Sequence, residues 1–195
     1  MPDILINSKT KMRHNMYVDI YVPVPDLSFP NAAPAMGESK AEKDENIAKF
    51  AEEVLFPQYS RAVKKIIRTY EDSPMPLRYL SGKLEIRPLP LGFYGVLLGE
   101  TIIIDNNVVI GIVRRAGSGA FTFGHEIGHK ILKVKDGKEL LETVRSRIST
   151  DLYDSTEVVA EVVGEIISGE ESELIDMDFK TRKLLQRGVL KLAYS

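Results

Sequence analysis

The spacing of apolar and polar positions changes character several times along these 195 residues. Residues 17 to 25, YVDIYVPVP, alternate and are β-branched, which predicts a strand that ends at prolines. PDLSFPNAAPAMGES follows, a run of prolines and small residues that reads as a linker or extended arm. Residues 40 to 70 carry a charged amphipathic pattern, predicting one helix or a pair broken near Pro57. From 83 to 113 the period shortens. KLEIRPL, FYGVLLG, TIIID and NVVIGIVRR are β-rich runs separated by Gly, Pro or Asn-Asn, and they predict a small antiparallel sheet with tight turns. After Gly117 the helical period takes over, at about 118–134, 137–149, 155–168 and 178–192.

Helix, then sheet, then helices is the order of an α+β domain. The chain divides into an N-terminal strand and proline-containing arm, 1–39, and a main domain, 40–195. Hydrophobic residues make up 44% of the chain and net charge is -2, so a real core is expected and no nucleic-acid or anionic-membrane partner is. TIIIDNNVVIGIV is too short and too interrupted to cross a bilayer. MPDILINSKTKMRHN lacks the apolar core and cleavage site of a signal peptide, so a soluble, cytoplasmic protein is the expectation. There is no cysteine, so any metal site must be built from histidine and carboxylate.

That restriction sharpens FTFGHEIGHKIL, residues 121 to 132, which holds two of the chain's three histidines. His125 and His129 are four apart and project from one helical face, where two imidazoles can share one Zn²⁺. Glu126 lies about 100° around the helix, too far to join that coordination and near enough to act on a water held at the metal. This is the H-E-x-x-H pattern: a zinc ion acidifies water and polarises a carbonyl, and the glutamate takes a proton and passes it to the leaving amine. The bland alternative is a buried helix that carries two histidines by chance. Phe121, Phe123, Ile127, Ile131 and Leu132 do bury this helix, and two imidazoles at a buried face would be costly without a partner.

A catalytic zinc needs a third protein ligand. KILKVK follows His129, with neither the glycine nor the third histidine that one subclass places there. His14 lies in a polar N-terminal stretch, so a carboxylate is the better candidate. STEVVAEVVGEII offers Glu157, Glu161 and Glu165, each four apart. They could form a solvated face, or Asp154 and Glu157 could form a capping box. Against the solvated face, like charges at that spacing repel, and the rest of the helix is apolar almost all round. A cation nearby would relieve the repulsion. Glu157 could bind it directly, Glu161 could orient a ligand histidine, and Glu165 reads as surface or rim.

H-E-x-x-H followed by E-x-x-x-D/E on a second helix resembles the gluzincin metallopeptidases. More narrowly, TIIIDNN, FTFGHEIGHKIL and EVVAE are similar to the ImmA/IrrE-like peptidases, over residues 100 to 168. Phe123-Gly124 stands where that family has an aliphatic residue and alanine, and Glu161 where Asn or Asp is commoner. The resemblance implies a zincin-like fold in which a small antiparallel or mixed sheet packs on the H-E-x-x-H helix and a second, glutamate-bearing helix. It implies His125, His129 and Glu157 as zinc ligands, Glu126 as the base and Glu161 as the carboxylate that orients a histidine. A zinc-dependent intracellular endopeptidase acting on a protein or peptide is the function implied. The rival is a non-catalytic protein that keeps a zincin-like fold and its metal site for binding or structure.

Further candidates are weaker. Tyr153, Arg114 and Arg115 could stabilise an oxyanion. The region from Asp154 to Asp178 is acidic without Lys or Arg and reads mostly as a solvated face and loop. Gly128 could let another segment approach closely. TIIID or NVVIGIV could offer an edge to an extended peptide. The arm from 24 to 36 could fold over the cleft and hold the protein inactive.

Overall fold

The structure, a computed structural model, describes residues 4–11, 16–22, 39–113, 117–148, 154–172 and 174–195. His14, the arm from 24 to 36, Arg114, Arg115 and Tyr153 lie outside them.

Strand β1 (Ile4–Lys11) and strand β2 (Met16–Val22) precede helix α1 (Lys40–Phe50). Ser39 starts α1 with a capping box, its hydroxyl accepting from Glu42 N and its own N–H donating to the Glu42 carboxylate. A π-helical stretch, Ala51–Leu55, joins α1 to α2 (Phe56–Glu71). The predicted break near Pro57 is therefore a widened turn within continuing helix. Proline lacks an N–H and its ring crowds the carbonyl four residues back, and the wider turn just ahead relieves that crowding.

Strands β3 (Gly82–Arg87), β4 (Gly95–Leu98) and β5 (Thr101–Asp105) follow, then a single helical turn, α3 (Asn106–Val109). Four helices complete the chain: α4 (Gly119–Val134), α5 (Lys138–Arg147), α6 (Ser155–Ser168) and α7 (Phe179–Tyr194). The architecture is α+β.

The sheet has five strands in the order β1-β2-β3-β5-β4. It is mixed: β2–β3 and β3–β5 are parallel, β1–β2 and β4–β5 antiparallel. This corrects the wholly antiparallel reading of residues 83–113. NVVIGIV is not a strand. Asp105 ends β5 and its carboxylate accepts from Asn107 N at 2.8 Å, so the chain turns into α3 instead of pairing back. TIIID is an interior strand between β3 and β4, and among the described residues β4 is one edge of the sheet and β1 the other. The sheet also runs across the boundary drawn at residue 39, because β2 pairs with β3 and buries Met16, Val18 and Ile20 in the common core.

Burial alternates along β3, whereas β5 is buried on both faces from Ile102 to Asp105. Leu84 and Ile86 of β3 and Ile102 and Ile104 of β5 join a core shared with Tyr59, Val63 and Ile66 of α2, Phe123, Ile127 and Ile131 of α4, and Val158, Val159, Val162 and Val163 of α6. No helix among the described residues is long and apolar enough to cross a membrane.

Candidate metal centre

Small residues bring α4 and α6 together. A Cβ added at Gly128 would lie 2.6 Å from Ala160 Cα, and one at Gly124 would lie 3.0 Å from Gly164 Cα. Backbones this close let side chains from both helices meet at one point. Ser118 caps α4 by accepting from Phe121 N, and Asp154 caps α6 by accepting from Thr156 N at 3.0 Å. Glu157 does not close a capping box, and its carboxylate turns across to α4.

There it meets both histidines. His125 Nε2 lies 3.2 Å from Glu157 Oε2, and His129 Nε2 lies 3.4 Å from Glu157 Oε1. The two Nε2 atoms are 3.1 Å apart. Ligand atoms around a tetrahedral ion with bonds of about 2.0–2.1 Å are separated by about 3.3–3.4 Å, so the three groups already stand near the vertices such an ion requires.

The tautomer agrees. His125 Nδ1 lies 2.8 Å from Glu161 Oε1. A carboxylate only accepts, so Nδ1 carries the proton and Nε2 of the neutral ring presents a lone pair toward His129 and Glu157. Lone pairs and a carboxylate converging on one point repel unless a cation or a proton lies between them. His125, His129 and Glu157 could therefore hold a metal ion.

Without a metal the proton fills that role. Burial pulls the His125 pKa down, but the hydrogen bonds that its ring donates to Glu157 and Glu161 outweigh it and raise the pKa to about 9. Hydrogen bonds from His125 and His129 hold the Glu157 carboxyl well below the usual carboxylate range.

Glu126 is buried, with 4% of its surface exposed. Burial pushes its pKa up, against the opposing pull of His125 and His129. Its carboxylate faces β4: a Cβ added at Gly95 would lie 2.6 Å from Glu126 Oε1. The edge strand thus passes directly beside this acid.

Glu161 and Glu165 are both buried, so this stripe is not a solvated face. Glu161 accepts from His125 on one oxygen and from the Ser172 hydroxyl on the other. Glu165 is not surface or rim. It is buried against Arg182 of α7, whose Nη1 donates to Oε1 at 2.6 Å, and the same oxygen accepts from Ser172 N at 3.0 Å. Each glutamate of the stripe has a different answer to the like-charge problem. Ser172 and Arg182 escaped the sequence reading. The available signal was the stripe itself, since a third acid on an apolar helix implies a cation from another element, and α7 is rich in Lys and Arg.

Three comparisons, with models of protein families, with curated proteins and with solved structures, give no match to this chain.

Proposed function

We propose that this chain is a zinc-dependent endopeptidase of gluzincin type with a zincin-like fold, acting on protein or peptide substrates in the cytoplasm. The observation that carries the proposal is a buried carboxylate, Glu126, that faces the edge strand β4 and lies close enough to His125, His129 and Glu157 to interact with their charges. A metal group held only for structure has no use for that acid.

His125, His129 and Glu157 would hold the ion, and its nitrogen and oxygen donor set with no sulfur suits Zn²⁺. When bound, zinc supplies Lewis acidity, lowering the pKa of water toward about 7 and polarising a carbonyl. Glu126 accepts the proton of the attacking water on its carboxylate and returns it to the leaving amine, and its raised pKa suits it to both steps. Glu161 keeps the proton of His125 on Nδ1, so that Nε2 stays a ligand. Among the described residues no strand pairs with the outer side of β4, and an extended peptide added there would lie alongside Glu126.

Glu126→Gln is the test. Wild type should purify with about one zinc per chain and cleave members of a peptide library. Glu126→Gln should keep the zinc and lose at least about 100-fold in kcat/KM, and Glu157→Ala should lose both. Zinc bound without cleavage of any library peptide would favour the non-catalytic rival, and absence of stoichiometric zinc would overturn the metal reading.

A further inference from the structure

The loop between α6 and α7 reaches back to the metal group through one hydroxyl. Ser172 Oγ donates to Glu161 Oε2 and accepts from Leu174 N at 3.1 Å. The acceptance from Leu174 leaves the hydroxyl proton no better direction than Glu161. Glu161 is thereby gripped from two sides, by His125 Nδ1 on Oε1 and by Ser172 on Oε2. Ser172 is itself anchored. Its N–H donates to Glu165 Oε1, and Arg182 of α7 donates to that same oxygen. The path His125–Glu161–Ser172–Glu165–Arg182 runs from the proposed metal ligand to the C-terminal helix through buried or part-buried hydrogen bonds.

We propose that Ser172 is a positioning residue of the metal centre: it fixes the rotamer of Glu161, which in turn fixes the ring of His125, while the Glu165–Arg182 pair fixes Ser172. The inference rests on reading His125, His129 and Glu157 as a metal site. Glutamate has several rotatable bonds, and one hydrogen bond to an imidazole does not restrain them all. A second contact on the far oxygen does. Loss of a partner that orients a ligand typically weakens metal affinity by about 10- to 100-fold. This gives the C-terminal helix a part in the site although it contributes no ligand.

The test is zinc affinity, measured by competition with a chromophoric chelator on the full-length chain, alongside circular dichroism of the metal-free proteins. Ser172→Ala should weaken zinc binding about tenfold or more, with the metal-free spectrum unchanged. Ser172→Thr, which keeps the hydroxyl, should bind within about threefold of wild type, and Arg182→Met should weaken binding by a few fold through the displaced loop. In hydrolysis assays at saturating zinc, Ser172→Ala should lower kcat and leave KM in place. If wild type binds zinc and both Ser172→Ala and Arg182→Met bind it equally well, the positioning role is overturned and the metal site stands. If Ser172→Ala does not fold, Arg182→Met alone decides. If wild type itself binds no zinc, both readings fall together.

Discussion

Gly128 of α4 lies against Ala160 of α6 so closely that a single added methyl at Gly128 would sit 2.6 Å from the Ala160 Cα. The obstacle is backbone, which cannot rotate away. Gly128→Ala gains about 1 kcal/mol of helix propensity, but overpacking a helix contact costs about 1–3 kcal/mol. The helices must also part, and His125 and His129 flank this residue on one helix while Glu157 stands on the other. Gly128→Ala should lower the melting temperature modestly and weaken zinc binding more than stability. Unchanged zinc affinity in a chelator competition would mean that the helix spacing does not set the metal geometry.

Gly95 presents the opposite case. A Cβ there would lie 2.6 Å from Glu126 Oε1 and 2.8 Å from Thr122 Cγ2, both ends of side chains. The Glu126 carboxylate can swing aside but the buried, β-branched Thr122 yields less easily, so Gly95→Ala should fold at a modest cost in stability and keep its zinc. The displaced group is the proposed base, so kcat should fall by about tenfold or more. A variant as active as wild type would show that Glu126 is not needed where it now points.

The two helices of the candidate metal centre were readable because each signals itself twice, by apolar period and by chemistry. On a helix His125 and His129 stand one turn apart on one face, and Glu157, Glu161 and Glu165 form a stripe with one turn between members. The sheet was harder. Parallel pairing of β2 with β3 joins residues more than 60 positions apart, and no local pattern carries that partnership. NVVIGIV has strand composition, but the Asp105 cap and tertiary burial of Val108 and Val109 made the start of it helical. Glu165 looked like surface because its partner, Arg182, is 17 residues away on another element.

Lys130 directly follows the second proposed ligand and is buried at 4% exposure. Its ammonium donates to Ser81 O at 2.7 Å, at the start of β3, and pairs with Glu100 at 3.1 Å in the β4–β5 turn. One side chain thus ties α4 to two parts of the sheet. Lys130→Met keeps the stem's packing and deletes the head. It should cost on the order of 2 kcal/mol in urea unfolding, since the Ser81 carbonyl loses its charged donor. Glu100→Gln, at an exposed partner, should cost under about 1 kcal/mol. Equal effects of the two changes would place the stabilisation in the ion pair instead of the carbonyl contact.

The metal-free protein should lose stability as pH rises. His125 has its pKa raised from 6.5 to about 9 in the folded chain. A group whose folded pKa is raised stabilises fully below its unfolded value and loses that contribution as pH climbs through the folded one. The window is therefore about pH 6.5 to 9, and the effect is on the order of 3 kcal/mol. Zinc must displace the same proton, so its affinity should rise by up to about tenfold per pH unit over this window. The two trends oppose each other. Melting temperature measured with chelator should fall between pH 6.5 and 9, and the gap between zinc-loaded and metal-free protein should widen. His125→Asn should flatten the metal-free curve. A metal-free melting temperature that is constant or rising over that range would mean that His125 carries no proton between the carboxylates of α6.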